Sequence, residues 1–184
     1  MRRIFPLGLL LSVIMIIGIS PFSSVVLSAE VVDKKFHESG AIKALQEYFK
    51  AQQTFHSTEK RYAQDYSTLY ATEGNQLGLI SEEFAKARIT PETPYSKDLP
   101  NVAGYVFFED TNIQDWASDF GLFAIPGHDV KEIPDIRMFW IGIKGGLYGM
   151  TFRDIEKMRI KSMADIFSPH SLWRMIPNDD QFSK

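Results

Sequence analysis

The apolar period changes once along this chain, and that change limits the folds open to it. Over residues 38–62, Ala41, Leu45, Tyr48, Phe55 and Tyr62 recur at three-, four- and seven-residue steps, while Lys43, Glu47, Lys50 and Lys60 fall between them. Such spacing lays one apolar stripe along an α-helix and turns the charges outward. After Asn101 the period becomes that of strands, with apolar and aromatic runs at residues 104–108, 120–125, 136–143 and 147–152. Lys144-Gly145-Gly146-Leu147 predicts a hairpin between the last two runs, because adjacent glycines supply the positive φ angles that both central positions of a type I′ turn require. Short connections elsewhere predict an antiparallel meander, whose apolar face needs a cover. The expected fold is α+β: a long N-terminal amphipathic helix packed on a four-stranded antiparallel β-meander.

The remaining segments fill in this plan. Ser39 is the expected N-cap of the long helix, and Gln52, which interrupts its apolar stripe, is expected to be a surface or half-buried amide bonded to a nearby loop. Residues 63–100 read as a connector with one short helix, entered by Ser81-Glu82-Glu83 and followed by Pro91, Pro94 and Pro100, which bias the residues before them to extended backbone. Asp154 is expected to cap a last helix carrying Ile155, Met158, Met163, Ile166 and Phe167 until Pro169 stops it. Beyond it, Leu172-Trp173 is expected to dock back on the domain, since a tryptophan near a terminus contributes only by packing.

Ahead of the helix, Met1-Arg2-Arg3 precedes an uncharged stretch at residues 4–29 that ends in Leu27-Ser28-Ala29. Positive charges, an apolar core and a terminal small residue are what the bacterial export machinery reads as a signal peptide. The expected domains are residues 1–29, removed after Ala29, and a single domain at residues 30–184. The same stretch, left uncleaved, is long enough for an inner-membrane anchor. Pro6, Pro21 and Ser23-Ser24 favour the cleaved form, with the chain beyond Pro21 extended for the peptidase. A periplasmic or secreted location follows from this reading.

The absence of cysteine excludes disulfides, thiolate ligands and thiol nucleophiles. Charge is interspersed and the net value is −3, so no nucleic-acid footprint is expected. His37, His56, His128 and His170 are dispersed without the spacing of a helix-borne zinc motif. His128 lies in Pro126-Gly127-His128-Asp129, a turn sequence, and no positioned nucleophile accompanies it. Glu109, Asp110, Thr111, Asn112, Asp115 and Asp119 form the one local concentration of hard oxygen ligands, but they lack the glycine and closing glutamate of an EF-hand, so a solvated acidic loop is expected rather than a calcium site. Gly142, Gly145, Gly146 and Gly149 lie in strand-turn-strand sequence and make no phosphate cradle. Of Tyr105, Phe107, Phe108, Phe139, Trp140 and Tyr148, at least half should be core; those on an uncovered sheet face would form a binding platform.

The order of elements resembles the globular part of type IV pilins and pseudopilins, and residues 39–45, 51–55 and Tyr62 are similar to the pilin helix. Gly8 and Gly18 lack the glutamate that follows a prepilin cleavage site. Most of the mature chain also resembles an exported bacterial family known as a domain of unknown function (number twenty-nine fifty). The similar pieces are Ala41-Ile42, Leu45, Tyr48, Ala51-Gln52, Gly104-Tyr105, Phe120-Gly121, Pro126 and Gly146-Leu147-Tyr148, then the ending with Met163, Phe167-Ser168-Pro169 and Leu172-Trp173. This resemblance implies export and an α+β fold, and brings no activity. No catalytic, cofactor-binding or metal-ligating residue is assigned. The expected function is that of an exported non-enzymatic protein in binding or cell-envelope assembly, with cell-envelope or secretion-system proteins as partners and membrane contact only through an uncleaved N-terminal segment. The alternatives are a membrane-anchored pseudopilin-like component and a hydrolytic or metal-dependent enzyme built on Asp115, Asp119 and His128.

Overall fold

The computed structural model describes residues 22–70, 77–90, 93, 95–111, 113–151, 154 and 173–177, with side chains from residue 31 onward except that of Tyr66. The chain divides into a unit Met1–Asp33 and a unit Lys34–Lys184, and the sheet belongs to the second. The order of elements is α1 (Phe22–Glu59), α2 (Tyr66–Leu69), α3 (Glu82–Lys86), β1 (Tyr105–Glu109), β2 (Gly121–Pro126), β3 (Arg137–Gly142), β4 (Leu147–Thr151) and β5 (Arg174–Met175). The strands form one sheet in chain order, each antiparallel to the next. Helix and antiparallel meander together make the fold α+β. Among the described residues no helix is long and apolar enough to cross a membrane.

The predicted stripe of α1 is the buried one. Ala41, Leu45, Tyr48, Ala51 and Phe55 pack with Tyr105, Phe107, Leu122, Phe139 and Leu147 in one core. Rings meet edge to face where the helix crosses the start of β2: Tyr48 lies 5.9 Å from Phe120 and 6.2 Å from Phe84. Gln52 is fully buried and ties the helix to the following loop. Its Nε2 donates to the Tyr48 hydroxyl (2.7 Å) and to the Ala63 carbonyl (2.8 Å), while its Oε1 accepts from the Ala63 N–H (2.8 Å).

Ser39 is not an N-cap. Its hydroxyl donates to the Phe36 carbonyl at 3.0 Å, and α1 runs through it from Phe22. Gly40 therefore sits inside a helix, and a reason is visible: a Cβ there would collide with the Cβ of Ala103 in the loop before β1. Residues 22–30, expected to be extended beside Ala29, have helical backbone. The far end of α1 closes where Lys60 takes a left-handed φ of 59° and its N–H reaches the His56 carbonyl (3.0 Å). Ser81 does cap the short helix, its Oγ accepting from the Phe84 N–H at 3.2 Å.

Two features of the sheet differ from expectation. Among the described residues five strands are present rather than four, since Arg174–Met175 adds to β4 and Ile176 follows it into the core, its N–H bonded to the Leu147 carbonyl (2.8 Å). Two exposed residues carry no period from which a strand could be read. The β3–β4 turn is not type I′ either: the Gly145 N–H bonds to the Gly142 carbonyl (2.8 Å), and Gly145 (φ 68°), not the Gly145-Gly146 pair, provides the positive φ. An ordinary turn completed by one left-handed glycine makes a longer loop than a type I′ turn does. The helix expected over residues 154–169 lies outside the described residues apart from Asp154. Asp154 bonds reciprocally with Thr151, accepting from its hydroxyl (2.9 Å) and donating its own N–H to it (3.2 Å).

Candidate functional site

Alternation along the strands sorts the aromatic residues onto two faces. Tyr105, Phe107 and Phe139 point to α1 and are fully buried. Their neighbours Phe108, Phe123, Trp140 and Tyr148 share the opposite face, and the register makes them direct cross-strand partners from β1 to β4. Adjacent rings in this row are 5.0, 6.4 and 5.4 Å apart. Leu99, Ile89 and Trp173 cover part of the face, with Trp173 5.8 Å from Phe123. The expected docking of Trp173 is thus what holds here, and its place beside the row was not legible in the sequence.

Where the cover ends, a cleft of about 480 Å³ opens, lined among others by Asp110, Asp119, Trp140, Lys144, Tyr148 and Trp173. Its floor depends on glycines. Gly121 and Gly142 are paired across β2 and β3, and Cβ atoms on them would lie 3.0 Å from Nε1 and 2.5 Å from Cη2 of the Trp140 ring. The indole therefore lies down over the glycine pair instead of standing off the sheet. Its Nε1 donates to Asp110 Oδ2 (3.2 Å), which pins the ring at its edge. Gly146 leaves the same kind of space beside the Tyr148 ring. Asp119 accepts from the Phe120 N–H (2.8 Å), and Lys144 stands exposed on the hairpin. Two acceptors, one amine and a phenol thus surround a surface of adjoining, mutually tilted aromatic rings.

The acidic segment does not converge. Glu109 faces Arg88, Asp110 holds the indole, and Asp115 closes its own turn onto Ala117 and Ser118. Those hydrogen bonds, led by the Ser118 hydroxyl, keep the Asp115 carboxyl below the usual carboxylate range. Asn112 lies outside the described residues. Among the described residues no group of three metal-ligating side chains forms. Asp119 precedes β2 whereas His128 and Asp129 are exposed beyond its far end, so about 20 Å of strand separates them. His37 Nδ1 meets the Ala103 carbonyl at 2.7 Å and His56 stacks on Tyr62 at 4.4 Å; His170 lies outside the described residues.

Two arginine-centred ionic clusters escaped the sequence reading. Glu38 is buried and grips Arg137 of β3 through its backbone N–H (3.1 Å), Nε (3.1 Å) and Nη2 (2.6 Å). Its position three residues before Ala41 puts it on the buried stripe, which was the available signal. Arg88 joins Asp65 (2.6 Å) to Glu109 (2.8 Å), and Glu109 Oε1 lies within ionic reach of the guanidinium without hydrogen-bond geometry. Burial pushes the Glu109 carboxyl upward, with Arg88 opposing. Burial also raises the Tyr48 phenol, so it stays neutral and hydrogen-bonds as a hydroxyl. No family model matches the chain, and comparisons with curated proteins and with solved structures return no match.

Proposed function

We propose that this is an exported, non-enzymatic binding protein that takes a small ligand in the aromatic cleft of its sheet. The observation that carries the reading is the Trp140 indole laid over the Gly121–Gly142 pair beside Asp110, Asp119 and Lys144. A rigid aromatic surface with a few fixed polar groups is how small-molecule sites are built, and its volume falls in their range. Export rests on the basic start and apolar stretch of residues 1–29, and the resemblance to the exported family of unknown function agrees with it.

The test is a thermal-shift screen of the full chain against sugars, organic cations, amino acids and nucleosides, repeated with Trp140→Ala. A stabilising class whose effect disappears in the variant supports the reading; silence of every class sinks it. N-terminal sequencing of the mature protein checks export, with Glu30 as the expected first residue.

A second reading is a pilin-like component. Its support is the order of one long helix followed by an antiparallel meander, together with Phe36, which is 64% exposed on α1 where a neighbouring copy would cover it. An intact apolar N-terminus on the mature protein, with cross-linking between copies through α1, is the outcome this reading requires.

A further inference from the structure

We propose that the ligand of the cleft is a neutral saccharide, an inference that rests on the binding reading above. Three observations favour this class. The first is the attitude of Trp140. With Gly142 and Gly121 beneath it and Asp110 at its edge, the indole is held against the sheet, and the partly exposed residue lines the cleft. The C–H bonds on one side of a pyranose carry partial positive charge and lie nearly in a plane, which suits the negative face of a fixed ring.

The second observation is the mixed sign of the rim. Asp119 is an acceptor, the Lys144 amine a donor, and the Tyr148 hydroxyl either. A polyol presents donors and acceptors in alternation and carries no net charge, so it satisfies both kinds of group. An organic cation would gain from the carboxylates and lose to Lys144; an anion would do the reverse. The third is rigidity. Phe108, Phe123, Trp140 and Tyr148 brace one another across four strands, so the platform exists before the ligand arrives and little ordering cost is left to meet.

The cleft walls that give shape to the site come from sequentially distant turns. Asp119 arrives on the loop before β2, Lys144 on the β3–β4 hairpin, and Trp173 from the segment entering β5. All three line the cleft with Trp140, and the hairpin loop, longer than a type I′ turn would make it, carries Lys144.

The experiment is calorimetric titration and tryptophan fluorescence of the full chain with chitotetraose, cellotetraose and maltotetraose, with choline chloride as the cationic arm. Saturable heat and a blue shift with at least one oligosaccharide, and none with choline, is the expected result. Trp140→Ala should weaken that binding about tenfold, the size of one ring-stacking interaction. Lys144→Ala should weaken it about fivefold, the size of one hydrogen bond at a solvent-exposed position. Gly142→Ala places a methyl against the indole and should weaken binding without removing any ligand-contacting side chain, which covers the case in which Trp140→Ala fails to fold. Saturation by choline with all three saccharides silent overturns the sugar assignment while leaving a binding protein. Saccharide binding unchanged in Lys144→Ala and Gly142→Ala overturns the assignment of the sugar to this cleft. Silence of all three saccharides at millimolar concentration overturns the inference as well.

Discussion

Both faces of the sheet are lined with aromatic rings, but among the described residues a helix, α1, covers only one. On the α1 side, Tyr105, Phe107, Leu122, Ala124, Phe139 and Ile141 are fully or almost fully buried, and the alanines of α1 let helix and sheet approach closely. On the other side Phe123, Met138 and Met150 are buried, yet Phe108, Trp140, Tyr148 and Trp173 are only half-covered by loops. A helix is a continuous stripe and seals what it covers. Loops cover in patches, and the gap between patches is where the cleft lies.

Adjacent residues of β3 give the sharpest contrast. Phe139→Ala removes a fully buried ring and should cost about 4 kcal/mol, whereas Trp140→Ala on the open face should cost only about 2 kcal/mol. Urea denaturation of the two variants measures the difference; equal losses would mean that the cleft face is as much core as the helix face. Arg137→Ala comes next, at about 3 kcal/mol, because it leaves Glu38 buried without its partner between α1 and β3. Replacing both residues of the pair by apolar ones should recover much of that loss in the same assay.

The smallest effect is a pH slope at the edge of β1. Glu109 keeps its proton in the folded state at pH values where the unfolded chain has lost it, because burial raises its carboxyl. Its contribution is therefore greatest in acid and declines as pH rises from the ordinary carboxylate range through the folded value. Asp65, which is opposed by burial but held down by the Ser67 N–H and Arg88, acts in the other direction and loses its contribution as pH falls through its lowered value. Glu109→Gln should flatten the first slope and leave the second, as read from denaturation midpoints between about pH 2 and about 7.

What could be read from the residues depended on whether the signal was local. Ser81 with Glu82-Glu83 predicted a capped helix, and the alternation at residues 104–108, 120–125, 136–143 and 147–152 located four strands to within a residue or so. Gln52 was legible as a loop-bonding amide, because a polar residue on the apolar stripe needs partners, but it is fully buried rather than at the surface or half-buried. Ser39 misled, since a serine hydroxyl satisfied by a carbonyl one turn back sits as well inside a helix as at its start. The acidic segment was read as a solvated loop, which describes the exposed Asp115, but strand alternation takes the covered Glu109 and Asp110 carboxylates to Arg88 and the Trp140 indole.

Period and turn chemistry alone determined that this chain forms one long helix and an antiparallel meander, because those preferences act over a few residues. Which aromatic rings are core and which line a cleft was decided by tertiary structure. That choice follows from cross-strand register, from two glycines separated by some twenty positions coming face to face beneath an indole, and from a tryptophan far along the chain returning to one side of the row. Each of these is a distance between residues remote in sequence, and no local propensity encodes it.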